Sequence, residues 1–170
     1  LPEEMKGVAY DDCPQTIGYG QTISQPYMVA LMSSQFQNLP KGSKILEVGS
    51  GCGYQTAVLV AMGFEVYSIE IVPELVEMST RTLDNLGLSP TRLTLGDGKF
   101  GIPGEAPFDG IIAAACGDSI PDSWIEQMSE HAILVAPVEG ENHQILIRIE
   151  RNGDMISKED ICGVRFVRLV

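Results

Sequence analysis

The stretch KILEVGSGCGYQTAVLVAM, residues 44–62, constrains the fold more than any other feature. KILEVG (44–49) is a short apolar run entering a glycine-rich turn, so it predicts a buried strand. YQTAVLVAM (54–62) reads as a helix that ends at Gly63. A strand that turns at once into a helix opens a βαβ unit, which needs parallel neighbours.

The rest of the chain supplies them. EVYSIE (65–70), TRLTL (91–95), FDGIIAAA (108–115) and AILVAPV (132–138) read as strands. PELVEMSTRTLDNL (73–86) opens with Pro73 and stops at Gly87, with Leu75, Met78, Thr82, Leu83 and Leu86 at helical spacing. SWIEQMSE (123–130) reads as a further helix. PYMVALMSSQFQNL (26–39) does too, with Met28, Met32, Phe36 and Leu39 on one face. HQILIRIE (143–150) and CGVRFVRLV (162–170) alternate, as strands near an antiparallel edge do. The expectation is an α/β fold spanning 1–170 as a single domain, with a mostly parallel sheet and helices on both faces. Ligands in such sheets bind beyond the carboxyl ends of the strands.

Bulk properties narrow the function. The 170 residues carry a formal net charge of −12, which argues against a nucleic-acid partner and is compatible with a cationic ligand. No apolar run reaches the roughly 18 residues of a membrane helix. The opening LPEEMKGVAYDDCPQ is acidic and broken by prolines, unlike a signal peptide, so a cytoplasmic protein is expected. The chain begins with Leu1 rather than Met, which leaves room for a segment upstream. Cysteines stand at 13, 52, 116 and 162 without a C-x-x-C pair, and the two histidines, His131 and His143, form no H-E-x-x-H. Four reduced thiols and no metal site are expected.

The turn EVGSGCGYQ decides the cofactor class. Gly49, Gly51 and Gly53 form G-x-G-x-G, and Tyr54 occupies the place of the last glycine of the dinucleotide fingerprint. An NAD-linked oxidoreductase is therefore disfavoured. Glu47 precedes the glycines, and Glu70 ends the 65–70 strand, nineteen residues after Gly51, where a carboxylate can accept both hydroxyls of a ribose. Asp97, in GDG, stands where an adenine amino group could be read. Each alone also reads as a cap or a solvated loop. Three carboxylates at the ends of three strands suit a cationic adenosyl ligand better than a pyrophosphate, and S-adenosylmethionine carries both a sulfonium and an ammonium.

Together the segments YDDCPQTIGYGQTISQPYMVALM, ILEVGSGCGYQTAVLV, VYSIEIVPEL, GDGKFGIPGEAPFDGIIAAA and VRFVRLV resemble the protein-L-isoaspartate O-methyltransferase family across nearly the whole chain. TISQP, residues 22–26, is the specific part; the glycine loop alone marks only the wider class of S-adenosylmethionine-dependent methyltransferases. The resemblance implies a Rossmann-like, seven-stranded methyltransferase fold. It implies methyl transfer from S-adenosylmethionine to the α-carboxylate of L-isoaspartyl residues in damaged proteins and peptides; a monomer is a separate expectation. The ester then collapses to a succinimide that can reopen to normal aspartate. Ser24 matches the family's active-site serine. Gln21, Thr22 and Ile23 match the loop across the cofactor, and Glu47, Gly49, Ser50 and Gly51 the methionine side. Glu70 with Ile71 matches the ribose side, and Asp97 with Gly98 the adenine side.

Several positions depart from the family pattern. Its helical segment before the region where this sequence begins has no counterpart, an expectation that bears on the cofactor lid. Tyr27 stands for a common His, FVRLV for FVPL, and Cys116-Gly117 for Ala-Pro. SEHAILVAPVEG lacks the usual paired glycines. These leave two other functions open: a related peptide-modifying methyltransferase acting on ordinary aspartate, and a non-catalytic cofactor-binding module.

A carboxylate acceptor has a pKa near 4 and is already ionised at neutral pH, so no strong general base is required. What remains is orientation and exclusion of water. Ser24 can donate a hydrogen bond that aims the carboxylate, near a helix N-terminus that favours an anion. It also reads as a plain N-cap, worth about 1 kcal/mol. Ala113, Ala114 and Ala115 read either as a tightly packed strand or as room for a peptide backbone. Trp124 and Cys52 read as packing residues.

Overall fold

Every side chain of the strand Lys44–Val48 after Lys44 is buried, as a central strand covered on both faces requires. In the computed structural model, which describes residues 7–170, this strand lies inside a seven-stranded sheet. Residues 1–6, which open the segment read as unlike a signal peptide, lie outside the described residues. A small hairpin of β1 (Gln15–Gly18) and β2 (Gln21–Ile23) leads into α1 (Pro26–Ser34). Then β3 (Lys44–Val48), α2 (Tyr54–Ala61), β4 (Glu65–Glu70), α3 (Pro73–Leu86), β5 (Arg92–Leu95) and β6 (Phe108–Ala113) alternate. The chain closes with α4 (Asp122–Glu126), β7 (Met128–Glu139), β8 (Gln144–Asn152) and β9 (Met155–Val164).

The sheet order is β5-β4-β3-β6-β7-β8-β9. The pairs from β5 through β7 are parallel, and β8 and β9 add antiparallel strands at one edge. The chain winds outward from β3 to β5 and then crosses to β6, so the switch point lies between β3 and β6. A ligand crevice is expected there, beyond their carboxyl ends.

Alternation along β3 sorts its side chains between two cores. Leu46 and Val48 enter a cluster with Tyr67, Phe108, Trp124 and Leu134. Ile45 enters the opposite cluster with Phe36, Leu59 and Val66. Glu47 alternates in step with Ile45, so an acid is driven into the face of the sheet that α1 and α2 cover. No helix of the described residues is long and apolar enough to cross a membrane.

Several boundaries differ from the sequence reading. The helix expected over 26–39 ends at Ser34. There Ser33 Oγ donates to the Val29 carbonyl at 2.7 Å and Ser34 Oγ to that of Leu31 at 2.8 Å, a competition that weakens a helix end. The helix expected over 123–130 stops at Glu126, because Met128 pairs with Phe108 as a strand residue. The last strand is Met155–Val164 rather than 162–170. Residues 166–169 instead run back over Cys116, whose N–H donates to the Val167 carbonyl and whose carbonyl accepts from Leu169 N–H, both at 2.8 Å.

The hairpin is an element that sequence reading missed. Its strands are only four and three residues long. Its tip holds Tyr19 at φ 54° and Gly20 at φ 71°, the two left-handed positions of a tight hairpin turn. Ile17 fixes it by packing in a small cluster with Cys52 and Leu75.

Candidate functional site

The loop between β3 and α2 must turn the chain sharply and leave room above the sheet. Gly49 at φ 90° and Gly51 at φ 53° adopt left-handed backbone that other residues rarely take. Gly53, also left-handed, caps α2, and Tyr54 begins the helix. Tyr54 thus belongs to the helix and supplies no third glycine for a pyrophosphate.

Two carboxylates hold this loop from beneath. Glu70 Oε2 accepts from Gly51 N–H at 2.9 Å, while Oε1 accepts from Ile71 N–H at 2.9 Å and Val72 N–H at 3.0 Å. Three of the roughly four acceptor positions of a carboxylate are filled. The position that remains, on Oε2, suits one ligand hydroxyl rather than the two expected from sequence. Glu47 Oε2 accepts from the Thr56 hydroxyl at 2.6 Å, tying β3 to the first turn of α2. Its Oε1 is buried with no partner among the described residues.

Burial pushes the Glu47 pKa up to about 7; the Thr56 and Ser68 hydroxyls oppose the rise and the nearby Glu70 carboxylate adds to it. An unfolded chain loses this proton near pH 4.5, whereas the folded protein keeps it to about pH 7. Between these values the folded state binds more protons, so stability falls as pH rises and levels off above pH 7. The contribution is on the order of 3 kcal/mol. Denaturant unfolding of the ligand-free protein at pH 5 and pH 7.5 should show this loss, and Glu47→Gln should reduce it. An equal pH dependence in both proteins would contradict the assignment.

The turn after β5 is fixed from the other side. Trp124 Nε1 donates to the Gly98 carbonyl at 2.8 Å, and Gln127 bonds Phe100 O and Ile102 N–H, each at 2.8 Å. Gly98 is packed so closely on β3 that an added Cβ would collide with Val48. Trp124 is 1% exposed, a core residue as expected.

These elements line a cleft that is open to solvent. Gln21, Thr22, Ile23 and Ser24 line it, as do Glu47, Gly49, Ser50, Gly51, Glu70, Ile71 and Gly98. Asp97 is the exception among the expected residues. It is absent from the lining, and its Oδ1 accepts from Lys99 N–H at 2.9 Å, capping a short 3-10 turn. Ala114 and Ala115 line the cleft, while Ala113 is wholly buried in β6. Gln25 rather than Ser24 is the N-cap of α1, with no side-chain cap bond, so Ser24 is not the helix cap.

The sequence reading missed the segment 166–170, which also lines the cleft. Phe166 N–H donates to Gln144 Oε1 at 2.6 Å, and Gln144 Nε2 returns a bond to the Phe166 carbonyl at 3.3 Å. Alternating apolar residues suggested only another strand there. The four cysteines are free.

The donor set fits an adenosyl ligand. A buried, unpartnered carboxylate oxygen faces the need of a cation, a second carboxylate keeps a free acceptor position, and the glycine backbone leaves space above both.

Comparison with known proteins agrees with this arrangement. The family model described as protein-L-isoaspartate(D-aspartate) O-methyltransferase matches residues 1–170. Protein-L-isoaspartate O-methyltransferase of Dictyoglomus thermophilum is 43% identical over 169 residues, 99% of this chain and 76% of that protein. The protein of the same name from Alcanivorax borkumensis is 42% identical, over 98% of this chain and 76% of its own length. A crystal structure of a Plasmodium falciparum protein-L-isoaspartate O-methyltransferase, in complex with S-adenosyl-L-homocysteine, superimposes with a TM-score of 0.87 at 27% identity. That match covers 97% of this chain and 83% of the other. The chain belongs to the protein-L-isoaspartate(D-aspartate) O-methyltransferase family.

Proposed function

We propose that this protein transfers a methyl group from S-adenosylmethionine to the α-carboxylate of L-isoaspartyl residues in damaged proteins and peptides. Family membership supports the reaction, and one observation carries its location. The cleft at the β3/β6 switch point joins the 21–24 segment to the glycine loop in a single lining.

When bound, S-adenosylmethionine supplies an electrophilic methyl group on a sulfonium. Glu47, Gly49, Ser50 and Gly51 would hold its methionine portion, with Glu47 Oε1 the acceptor for an ammonium. Glu70 and Ile71 would take the ribose. Gly98 and the neighbouring Asp97, whose Oδ2 is outside the cap, would flank the adenine. Gln21, Thr22 and Ile23 would cover the ligand and exclude water, which strengthens electrostatic interactions inside. Ser24 would donate a hydrogen bond to the acceptor carboxylate and so aim one of its oxygens for in-line displacement. No side chain needs to remove a proton, because the acceptor is already ionised.

The 1–170 segment acts in this reading as one catalytic domain, without a second chain and in the cytoplasm. The test is transfer from labelled S-adenosylmethionine to two matched peptides, one with L-isoaspartate and one with L-aspartate at the same position. Labelling of the isoaspartyl peptide alone is expected. Labelling of the aspartyl peptide would favour the peptide-modifying alternative, and cofactor binding with no transfer to either would favour a non-catalytic module.

A further inference from the structure

Among the described residues, the charged ones that line the cleft are Glu47, Glu70 and Arg168. The two acids are buried, at 0% and 6% exposure. Arg168 is different: its side chain is 68% exposed. The backbone beneath it is fixed on both sides, by Gln144 at Phe166 and by Cys116 at Val167 and Leu169. Arg168 is therefore presented by a rigid strap rather than by a loose end.

Its present partners hold it weakly. The guanidinium lies 3.3 Å from Asp118 Oδ1 and 3.4 Å from Glu139 Oε1. Both distances exceed the ~2.7–2.9 Å of a strong charge-assisted bond, and exposed pairs of this kind contribute little. A guanidinium has five N–H donors in a planar fork, so donors remain for a third carboxylate.

We infer that Arg168 binds the α-carboxylate of the incoming peptide acceptor at the cleft; this rests on the acceptor being an isoaspartyl peptide, as proposed above. A chain of net charge −12 repels anionic peptides at long range, and Arg168 gives an acceptor carboxylate a contact of opposite sign at the cleft. The pairing also has a direction. The acceptor carries a negative charge that its methyl ester lacks, so Arg168 favours acceptor over product and leaves the product free to depart. Arg168 serves binding and discrimination; alignment of the reacting atoms belongs to Ser24.

The experiment compares wild type, Arg168→Gln and Arg168→Lys in two assays. Steady-state methylation gives KM for the isoaspartyl peptide, KM for the cofactor, and kcat. Titration with S-adenosylhomocysteine present gives the affinity for peptides bearing either the α-carboxylate or an uncharged α-carboxamide. Arg168→Gln should raise the peptide KM about tenfold while the cofactor KM stays within about twofold. It should also lose most of the carboxylate preference, and Arg168→Lys should restore part of it. If wild type methylates the isoaspartyl peptide and Arg168→Gln keeps its peptide KM and carboxylate preference, the role of Arg168 is overturned and the functional reading stands. A rise in cofactor KM matching that in peptide KM would also overturn it, making Arg168 a strut of the strap. A wild type that labels no isoaspartyl peptide overturns both.

Discussion

Glu70→Gln should lower cofactor affinity on the order of 100-fold and reduce Tm by several degrees. The reason lies in three backbone donors converging on one carboxylate. Glutamine offers one acceptor oxygen and an NH₂ group. If the oxygen keeps Ile71 and Val72, the NH₂ faces Gly51 N–H, donor against donor. If it turns over, two N–H groups lose their acceptor. Either way at least one backbone bond is lost, at a cost of about 1–3 kcal/mol for the unsatisfied group. The favoured orientation frees Gly51, and with it the loop that would hold the cofactor. The Oε2 position open to a ribose hydroxyl is lost as well. Isothermal titration with S-adenosylhomocysteine and a thermal melt read the two effects. Unchanged affinity would remove Glu70 from the site.

Ser24→Ala should reduce kcat for the isoaspartyl peptide about 100-fold, with cofactor affinity and Tm nearly unchanged. The combination is diagnostic. An N-cap serine replaced by alanine costs helix stability, about 1 kcal/mol. Here the cap is Gln25, so that cost should be absent and stability should stay within about 0.5 kcal/mol. A hydroxyl that only binds the acceptor would raise KM, whereas one that aims an oxygen is felt in kcat. Ser24→Ala with wild-type kcat would contradict the positioning role. A lower Tm with little change in kcat would return Ser24 to a structural one.

Much of this was legible in the sequence because strand and helix boundaries coincide with residues that have local meaning. β4 and α3 match their sequence bounds residue for residue: Pro73 opens the helix and left-handed Gly87 closes it. The glycine loop was legible for the same reason. What was hidden depends on partners far along the chain. Met128–Glu130 carries a helix-like pattern, yet pairing of Met128 with Phe108 makes it strand. The 166–170 segment joins the site only through Cys116 and Gln144, so Arg168 gave no sign of lining a cleft. Ser24 and Gln25 are both polar residues before Pro26, and composition does not say which one caps. Asp97 was legible from its position, but not that one of its oxygens caps the following turn by accepting from Lys99 N–H. The hairpin was hidden because Tyr19, a residue that disfavours positive φ, occupies one of its two turn positions.

The most direct measurement is to locate the transferred methyl group. An L-isoaspartyl peptide is incubated with the protein and isotopically labelled S-adenosylmethionine, and fragmentation mass spectrometry maps the label before the ester breaks down. The expected result is a single methyl ester on the isoaspartyl α-carboxylate, followed by conversion to succinimide and then to a mixture containing normal aspartate. A label on an ordinary aspartate or on another side chain, or bound cofactor with no transfer, would contradict it.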